Sequence, residues 1–267
     1  MPYGFRNLQD AQGDWVKNSA GHIDFTRLDW VVDEASKRGI YTILDFHIWE
    51  GQQADYSLIS ANSDAGRAAQ AKAAAIWTQV AKHFKGNAWV AGFDAINEPT
   101  GSYANALQDA MYKAIRAEDA DRIIFMESMT ANPTTLNWHQ VAYSLHLYDM
   151  MGADYSSNKS VFQKDLAGSI SQIKKFNIPT YIGEFMVQDS GDMLSWLLGQ
   201  YNSNGLHWTN WTYKAVDMGA WGLCNLPSSV HVDILNDSAS TIKSHWENIG
   251  ACTPEPEVVS AFKKALN

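Results

Sequence analysis

Apolar residues recur at helical spacing in several segments of the chain, and short apolar runs separate these segments. The clearest helical pattern, Asp24–Arg38, places Phe25, Leu28 and Val32 on one face and ends at Gly39. Further helices are predicted at about 66–84, 102–118, 160–176, 190–203 and 255–266. Helices that alternate with short strands predict repeated βα units around a parallel sheet.

Six short apolar runs are predicted to be the strands of this sheet. They are Tyr41–Phe46, Val90–Ile96, Ile123–Met126, Tyr143–Leu147, Thr180–Ile182 and Leu206–Tyr213. Each run ends on polar residues before a loop, in the sequences ILDFH, FDAINEP, FMES, SLHLY, YIGE and NWTY. The active site of a parallel α/β barrel lies at such C-terminal strand ends. The polar residues therefore predict a functional cleft at this end of the sheet.

The spacing of the strand ends predicts an eight-unit barrel whose opening is missing. Strand ends between His47 and Trp211 are about 33 residues apart, as in a barrel of about 250 residues. Two further units would need about 66 residues, and only 46 residues precede His47. We therefore expect one α/β domain over 1–267, a TIM-type (β/α)8 barrel incomplete at the N-terminus. Six complete strands and a stub at Met1–Tyr3 should be present, without the first βα unit and most of the second strand.

Composition narrows the classes of partner. A formal charge of −9 argues against nucleic acid or an anionic membrane surface, because both bind clustered Lys and Arg. No apolar run reaches the roughly 18–20 residues of a membrane span, and residues 1–30 lack the layout of a signal peptide. A secreted enzyme whose leader has been removed would look the same, so the compartment stays open.

The two cysteines, Cys224 and Cys252, could pair or stay free. Their setting fits neither a zinc ribbon nor a CxxC site. Two buried thiols are the favoured interpretation.

Two carboxyl groups follow strands that lie three units apart. In the run INEP, Pro99 cannot continue the strand ladder, so the Glu98 carboxyl should face the cleft. In the run GEF, Gly183 allows close backbone approach beside Glu184. Glycoside hydrolysis needs such a pair: one carboxylic acid protonates the leaving oxygen, and one carboxylate attacks the anomeric carbon. We therefore expect the two glutamates to converge and to catalyse this reaction.

Five short motifs stand in order at the predicted strand ends. They are DFH at 45–47, NEP at 97–99, HLY at 146–148, GEF at 183–185 and WTYK at 211–214. Each alone is a weak signal. Together they resemble family 5 glycoside hydrolases, the cellulase and β-glucanase group of the retaining 4/7 barrel superfamily, and the resemblance extends over almost the whole chain.

The resemblance implies an endo-acting β-glycosidase that cleaves β-1,4-linked or mixed-linkage glucan by a retaining double displacement, without a metal or other cofactor. Glu98 would be the acid/base and Glu184 the nucleophile. Asn97 would bind the 2-hydroxyl of the reacting sugar, and Tyr148 would hydrogen-bond to the nucleophile. The retaining outcome predicts carboxyl groups about 5–5.5 Å apart.

The resemblance also implies the lining of the cleft. His47 and His146 would line it, and Trp211 would form the floor under the reacting ring, since the apolar face of a β-linked glucose suits an aromatic side chain. Further stacking candidates in or near strand-end loops are Trp49, Trp138 and Trp221. The loops Ile48–Asn62 and Asp149–Asn158 should shape the subsites.

The chain departs from the family pattern at its start. The family's second strand usually ends in an arginine that hydrogen-bonds to the nucleophile, and no residue precedes Met1 to supply it. Arg6 is a poor substitute. A barrel open at this point would expose strand edges, so we expect self-association into a homo-oligomer that covers them.

Two other interpretations stay open. Asp45, His47, Glu98, His146 and Glu184 could together bind a divalent metal, as in barrel isomerases and amidohydrolases, although no HxH or HExxH pattern is present. The chain could also be a carbohydrate-binding barrel that no longer cleaves. The exact polysaccharide and the endo or exo mode depend on loop walls that the motifs do not fix.

Overall fold

The computed structural model of the chain describes residues 2–3, 8–10, 14–47, 59–100, 103–127, 136–148, 155–177, 179–187, 191–216, 221–227, 237–247 and 251–267. They fall into two units, Met1–Ser144 and Leu145–Asn267. The single domain over 1–267 stays a prediction.

Parallel strands organise the first unit. In spatial order they are β1 (Pro2–Tyr3), β2 (Thr42–Phe46), β3 (Val90–Asp94), β4 (Ile123–Met126) and the first half of β5 (Val141–Tyr148). Asp45 pairs with Asp94 between β2 and β3, and Asp94 pairs with Phe125 between β3 and β4. The predicted stub is β1, which pairs with Asp45 and Phe46. Because all these pairs are parallel, the C-terminal ends of the strands lie at one edge of the sheet.

Amphipathic helices pack on these strands. They are α1 (Thr26–Ser36), α2 (Asp64–Phe84) and α3 (Ala104–Glu118). The Ser63 side chain caps α2 by accepting a hydrogen bond from the Gly66 amide at 3.0 Å. From this helix the fully buried Trp77 contacts Phe93 of β3 at 5.2 Å between ring centroids. The apolar stripe of α2 therefore fixes the helix on β3, the strand that leads to Glu98.

The second unit combines strands with long helices. It contains the second half of β5, then α4 (Tyr155–Phe176), β6 (Thr180–Met186), α5 (Gly191–Ser203), β7 (His207–Trp208) and, at the end of the chain, α7 (Pro256–Leu266). β6 pairs with β7 in parallel. Phe185 of β6 is fully buried and packs edge-on against Tyr201 of α5 and Trp208 of β7. This cluster anchors the strand that carries Glu184.

A small three-stranded sheet also belongs to the second unit. It is formed by β8 (Lys214–Val216), β9 (Cys224–Leu226) and β10 (Thr253–Pro254), and α6 (Ala239–Glu247) lies between β9 and β10 in the chain. Cys224 and Cys252 form a disulfide with a Cα–Cα distance of 5.5 Å. The favoured interpretation of two buried free thiols is therefore wrong, because the pairing of β9 with β10 brings residues 28 positions apart together.

The predicted strands and helices are found near their predicted positions, with two informative differences. β6 continues through Gly183 and Glu184 to Met186, so Glu184 lies inside the strand and not after it. The strand predicted over Leu206–Tyr213 ends at Trp208, and β8 begins a separate sheet at Lys214. None of the described helices combines the length and apolarity that a membrane span needs.

Candidate active site

The segment that leads from β3 to Glu98 is held by both neighbouring strands. The Ala95 amide donates to the Phe125 carbonyl of β4, and the Asn97 amide donates to the Phe46 carbonyl of β2, both at 3.1 Å. The Trp77 indole donates to the Ala95 carbonyl at 2.8 Å. These bonds carry the chain out of the sheet at the edge where the strand ends meet.

Glu98 itself has a left-handed backbone, with a φ of +42°. A residue other than glycine in this region costs on the order of 1–3 kcal/mol and persists only where its surroundings hold it. The Glu98 amide donates to a carboxylate oxygen of Glu127, the residue after β4, at 2.6 Å. The residue as a whole is exposed. Glu98 thus combines an exposed position with a left-handed backbone whose amide is bonded to Glu127.

Half-buried Asp45 and the buried residues His47 and Asn97 form a row of polar contacts beside this segment. The Nδ1 of His47 lies 2.7 Å from an Asp45 carboxylate oxygen, and its Nε2 lies 3.4 Å from the Asn97 side-chain nitrogen. His47 is 6% exposed and Asn97 3%. If Nδ1 carries the proton and donates a hydrogen bond to Asp45, Nε2 can accept a hydrogen bond from the side-chain amide of Asn97. Asp45 thereby fixes the imidazole, and the imidazole fixes the Asn97 side chain.

Three carboxyl groups lie close together at these strand ends. Carboxylate oxygens of Asp45, Asp94 and Glu127 lie within 4.8 Å of one another. Oxygen donors at this spacing suit a hard divalent cation, although acidic groups often lie close without one. Glu127 was not among the predicted site residues. The sequence indicated it only through the polar strand end FMES. The contact between Glu127 and Glu98 became visible in the structure.

In the second unit, two side chains of β5 meet the carboxylate of Glu184. The Tyr148 hydroxyl donates to Oε2 of Glu184 at 2.7 Å. The Nδ1 of His146 lies 3.6 Å from the same oxygen. His146 and Tyr148 share one face of the strand because side chains alternate along it. With side-chain exposures of 10% for His146 and 14% for Glu184, the group is largely shielded from water.

Two tryptophans flank this group. Trp221 stacks on the ring of Tyr148, with centroids 5.8 Å apart and planes 15° apart. Trp211 follows β7, and its amide donates to the carbonyl of Phe185 at 3.2 Å. The peptide bond between Trp211 and Thr212 is cis, and the Thr212 amide donates to the Trp221 carbonyl at 2.8 Å. Both indoles are half-buried, so each leaves part of its surface for a ligand.

Other predicted site residues lie elsewhere. Trp138 is 5% exposed, and its indole donates to Asp109 of α3 at 3.0 Å while its ring contacts Tyr112. It therefore packs in the core of the first unit and offers no open stacking surface. Trp49 and Arg6 fall outside the described residues, as do most of the loop 48–62 and residues 149–154.

The sequence and the fold both match known glycoside hydrolases. The sequence pattern of the family described as "Cellulase (glycosyl hydrolase family 5)" covers residues 2–217. A protein of Phanerodontia chrysosporium described as "Beta-xylosidase" is 27% identical over 271 residues, which cover 85% of this chain and 55% of that protein. The chain therefore spans about half the length of this curated relative.

Solved structures share the fold at low sequence identity. The cellulose synthase subunit Z of Clostridioides difficile is 15% identical with a TM-score of 0.66, covering 97% of this chain and 85% of that one. Thermotoga maritima Cel5A, solved with cellobiose, is 16% identical with a TM-score of 0.61, covering 91% and 83%. XEG5A, a xyloglucan-specific endo-β-1,4-glucanase from a metagenomic library solved with cellotriose, is 22% identical with a TM-score of 0.61, covering 92% and 82%.

These matches establish the class. The fold is part of a TIM-type (β/α)8 barrel, as predicted from the alternation of strands and helices. The chain belongs to glycosyl hydrolase family 5. The predicted family is thereby confirmed.

Proposed function

We propose that this chain catalyses the endo-acting, retaining hydrolysis of β-1,4-linked or mixed-linkage glucan, with Glu184 as nucleophile and Glu98 as acid/base. The observation that carries the proposal is the Glu184 carboxylate, which accepts a hydrogen bond from Tyr148 at 2.7 Å in a largely buried setting. A hydroxyl donor stabilises the ionised carboxylate and fixes its orientation. An ionised, oriented carboxylate is what a nucleophile at the anomeric carbon requires.

In the first step, Glu184 attacks the anomeric carbon and forms a glycosyl ester as the bond to the leaving oxygen breaks. Glu98 donates its proton to that oxygen, so a neutral alcohol leaves. The exposed position of Glu98 fits this role, because its carboxyl must reach the glycosidic oxygen and must exchange protons with water.

In the second step, water hydrolyses the glycosyl ester. Glu98, now ionised, takes a proton from the water as its oxygen attacks the anomeric carbon, and the Glu184 carboxylate leaves. Two inversions give net retention of configuration. Proton NMR of the first-formed anomer tests this point, since an inverting enzyme would release the opposite anomer first.

The remaining site residues would bind the sugar. The chain of contacts from Asp45 through His47 presents the Asn97 amide in one orientation, as a donor to a sugar hydroxyl requires. Trp211 and the Tyr148–Trp221 stack offer aromatic surface to the apolar faces of the rings.

The relatives support a β-linked glycan as the substrate without fixing which glycan it is. Thermotoga maritima Cel5A was solved with cellobiose and XEG5A with cellotriose, which favours a glucan. The name of the Phanerodontia chrysosporium relative favours a second candidate, the hydrolysis of β-xylosides. A substrate panel distinguishes the two.

The test is reducing-sugar release from barley β-glucan, carboxymethylcellulose, xyloglucan and xylan, with and without EDTA. Glu98→Gln and Glu184→Gln are compared with the control Glu257→Gln. Glu257 is an exposed glutamate whose carboxylate accepts a hydrogen bond from the backbone amide of Gly191 at 3.2 Å. Release that survives EDTA and the control substitution, but is lost in both site variants, supports the two-glutamate hydrolase.

Other outcomes point to the alternatives. Loss of activity with EDTA would favour a metal-dependent reaction, for which the carboxyl groups of Asp45, Asp94 and Glu127 are candidate ligands. Binding of cello-oligosaccharide without turnover would identify a carbohydrate-binding barrel. Release from xylan or aryl β-xyloside alone would favour the xylosidase.

Self-association and a secreted location are further parts of the proposal. Apolar side chains are exposed at the N-terminal ends of the strands of the first unit, with Ile40 at 55%, Tyr41 at 64% and Ile123 at 45%. Such a patch supports contact between copies. The disulfide of Cys224 and Cys252 supports an oxidising compartment. A monomeric mass by light scattering at micromolar concentration would contradict the oligomer.

A further inference from the structure

The structure assigns Glu127 as a positioning residue that holds the acid/base Glu98 in its working conformation, an inference that rests on the proposed function. Glu127 follows β4, on the strand beside the one that leads to Glu98. Its carboxylate accepts the hydrogen bond of the Glu98 amide at 2.6 Å. A short bond from an N–H to a charged acceptor is among the stronger hydrogen bonds in proteins.

The backbone of Glu98 needs such a partner. Its φ of +42° lies in the left-handed region that side chains other than glycine and asparagine rarely adopt. The following Pro99 cannot donate a backbone hydrogen bond to hold the turn from the other side. If the Glu98 amide lost its acceptor, the residue could relax to a negative φ, and its carboxyl would then point elsewhere.

Glu127 is itself well placed to act as a fixed support. Its own amide donates to the side-chain oxygen of Gln108 at 2.8 Å, and Gln108 is fully buried on α3. Glu127 is half-buried. The contact therefore links the acid/base to a rigid helix and not to a loop.

Glu127 belongs to a cluster of three carboxyl groups. Carboxylate oxygens of Asp45, at the end of β2, and of Asp94, at the end of β3, lie within 4.8 Å of its own. Like charges at this distance repel one another. A hydrogen-bond donor such as the Glu98 amide offsets part of this repulsion. A glutamine would keep an acceptor oxygen for this amide while removing the charge.

The experiment compares Glu127→Gln, which retains an acceptor, with Glu127→Leu, which removes it at similar size. Glu257→Gln is the matched control outside the site, since Glu257 also accepts a backbone amide hydrogen bond. The first readout is amide hydrogen exchange of Glu98 by NMR on the whole chain. We expect strong protection in the wild type and in Glu127→Gln, and exchange at least about tenfold faster in Glu127→Leu.

The second readout is kcat/KM on two substrates that differ in leaving group. The leaving alcohol of an oligosaccharide must be protonated as its bond breaks. The dinitrophenolate of a dinitrophenyl glycoside is stable as an anion and leaves without a proton. A misplaced acid should lower kcat/KM for the oligosaccharide by about 100-fold in Glu127→Leu. We expect the value for the dinitrophenyl glycoside to stay within about threefold of the wild type, and Glu127→Gln to restore most of the oligosaccharide activity.

Several results would overturn the assignment. Equal exchange of the Glu98 amide in the wild type and in Glu127→Leu would show that the bond does not hold the backbone. An equal loss on both substrates would show a role other than positioning the acid. A wild type that cleaves no β-glycoside would refute the proposed function, while the exchange measurement would still decide whether Glu127 holds Glu98.

Discussion

The two glutamates proposed to be catalytic are held in opposite ways. Glu184 lies inside a regular strand, and its side chain is held by Tyr148 at 2.7 Å, with His146 at 3.6 Å. Glu98 lies beyond the end of its strand with a φ of +42°, and its backbone amide is held by Glu127 at 2.6 Å. The residue Glu98 is exposed, whereas the Glu184 side chain is only 14% exposed.

The roles proposed for the two carboxyl groups would account for this difference. A nucleophile has to stay ionised and keep one direction of attack, so a hydrogen-bond donor on its side chain and a place in a regular strand serve it. An acid/base has to reach the leaving oxygen and then the attacking water, so a backbone that is held in one conformation serves it. The two carboxyl groups are thus positioned differently: Glu184 through hydrogen bonding to its side chain, and Glu98 through hydrogen bonding to its main chain.

The largest expected effect comes from replacing each glutamate and comparing substrates that differ in their leaving group. Glu184→Ala should lower kcat/KM on every substrate by about 10⁴-fold or more, because no group replaces the nucleophile. Glu98→Ala should be about 10²–10⁴-fold slower on oligosaccharide but close to wild type in kcat/KM on a dinitrophenyl glycoside. Steady-state kinetics on both substrates measure this. Equal losses in the two variants on the activated substrate would break the comparison.

The disulfide affects stability in the unit that carries Glu184. Replacing Cys224 and Cys252 together by serine opens a loop of 28 residues. The free energy of unfolding should fall by about 3 kcal/mol, since the open loop gives the unfolded chain more freedom. Urea denaturation with and without dithiothreitol measures the change. The reductant should destabilise the wild type and leave the double variant unaffected; the same response in both would contradict the bond's role.

Removing the hydroxyl beside the nucleophile should have a moderate effect. Tyr148→Phe keeps the ring that stacks on Trp221 but removes the bond to Glu184. A hydrogen bond to a charged group contributes about 1.5–3 kcal/mol, so kcat/KM should fall about 10–100-fold.

The pH profile of this variant gives a second test. Without the donor, the Glu184 carboxylate takes up a proton more readily, because the hydroxyl favours the ionised form. The acidic limb of the profile of kcat/KM should therefore move to higher pH, while the alkaline limb, which reports on the acid, stays in place. A shift of both limbs would indicate a general loss of structure.

The smallest expected effect comes from replacing Tyr201 by phenylalanine. Tyr201 lies in the same unit as Tyr148 and serves as the control for Tyr148→Phe. No described residue forms a hydrogen bond with its buried hydroxyl, and burial raises the pKa of that hydroxyl. Tyr201→Phe should leave kcat/KM unchanged and stabilise the fold by about 1 kcal/mol. The gain should grow above about pH 10, where the unfolded state of the wild type ionises its tyrosine. Thermal unfolding at pH 7 and pH 10.5 measures both effects, and a loss of stability in Tyr201→Phe would show that the hydroxyl has a stabilising partner.

Much of this fold could be predicted because its signals are local in sequence. Helical spacing over Asp24–Arg38 predicted α1, and the run Ile123–Met126 is β4 without change. The end of β7 was predicted five residues too late, because Thr209 and Trp211 donate hydrogen bonds to β6 without continuing as a strand. Pairing, and not apolar character, decides where a strand ends.

The sequence by itself determined the family and the polar strand ends, since motifs such as NEP and GEF are contiguous and their positions follow from strand periodicity. Only the tertiary structure decided that Cys224 pairs with Cys252, that Trp138 packs in the core and that Glu127 accepts the hydrogen bond of the Glu98 amide. These are contacts between residues about 30 positions apart in the chain, brought together by strand pairing and helix packing. Such distances depend on how whole elements pack, which no local pattern encodes.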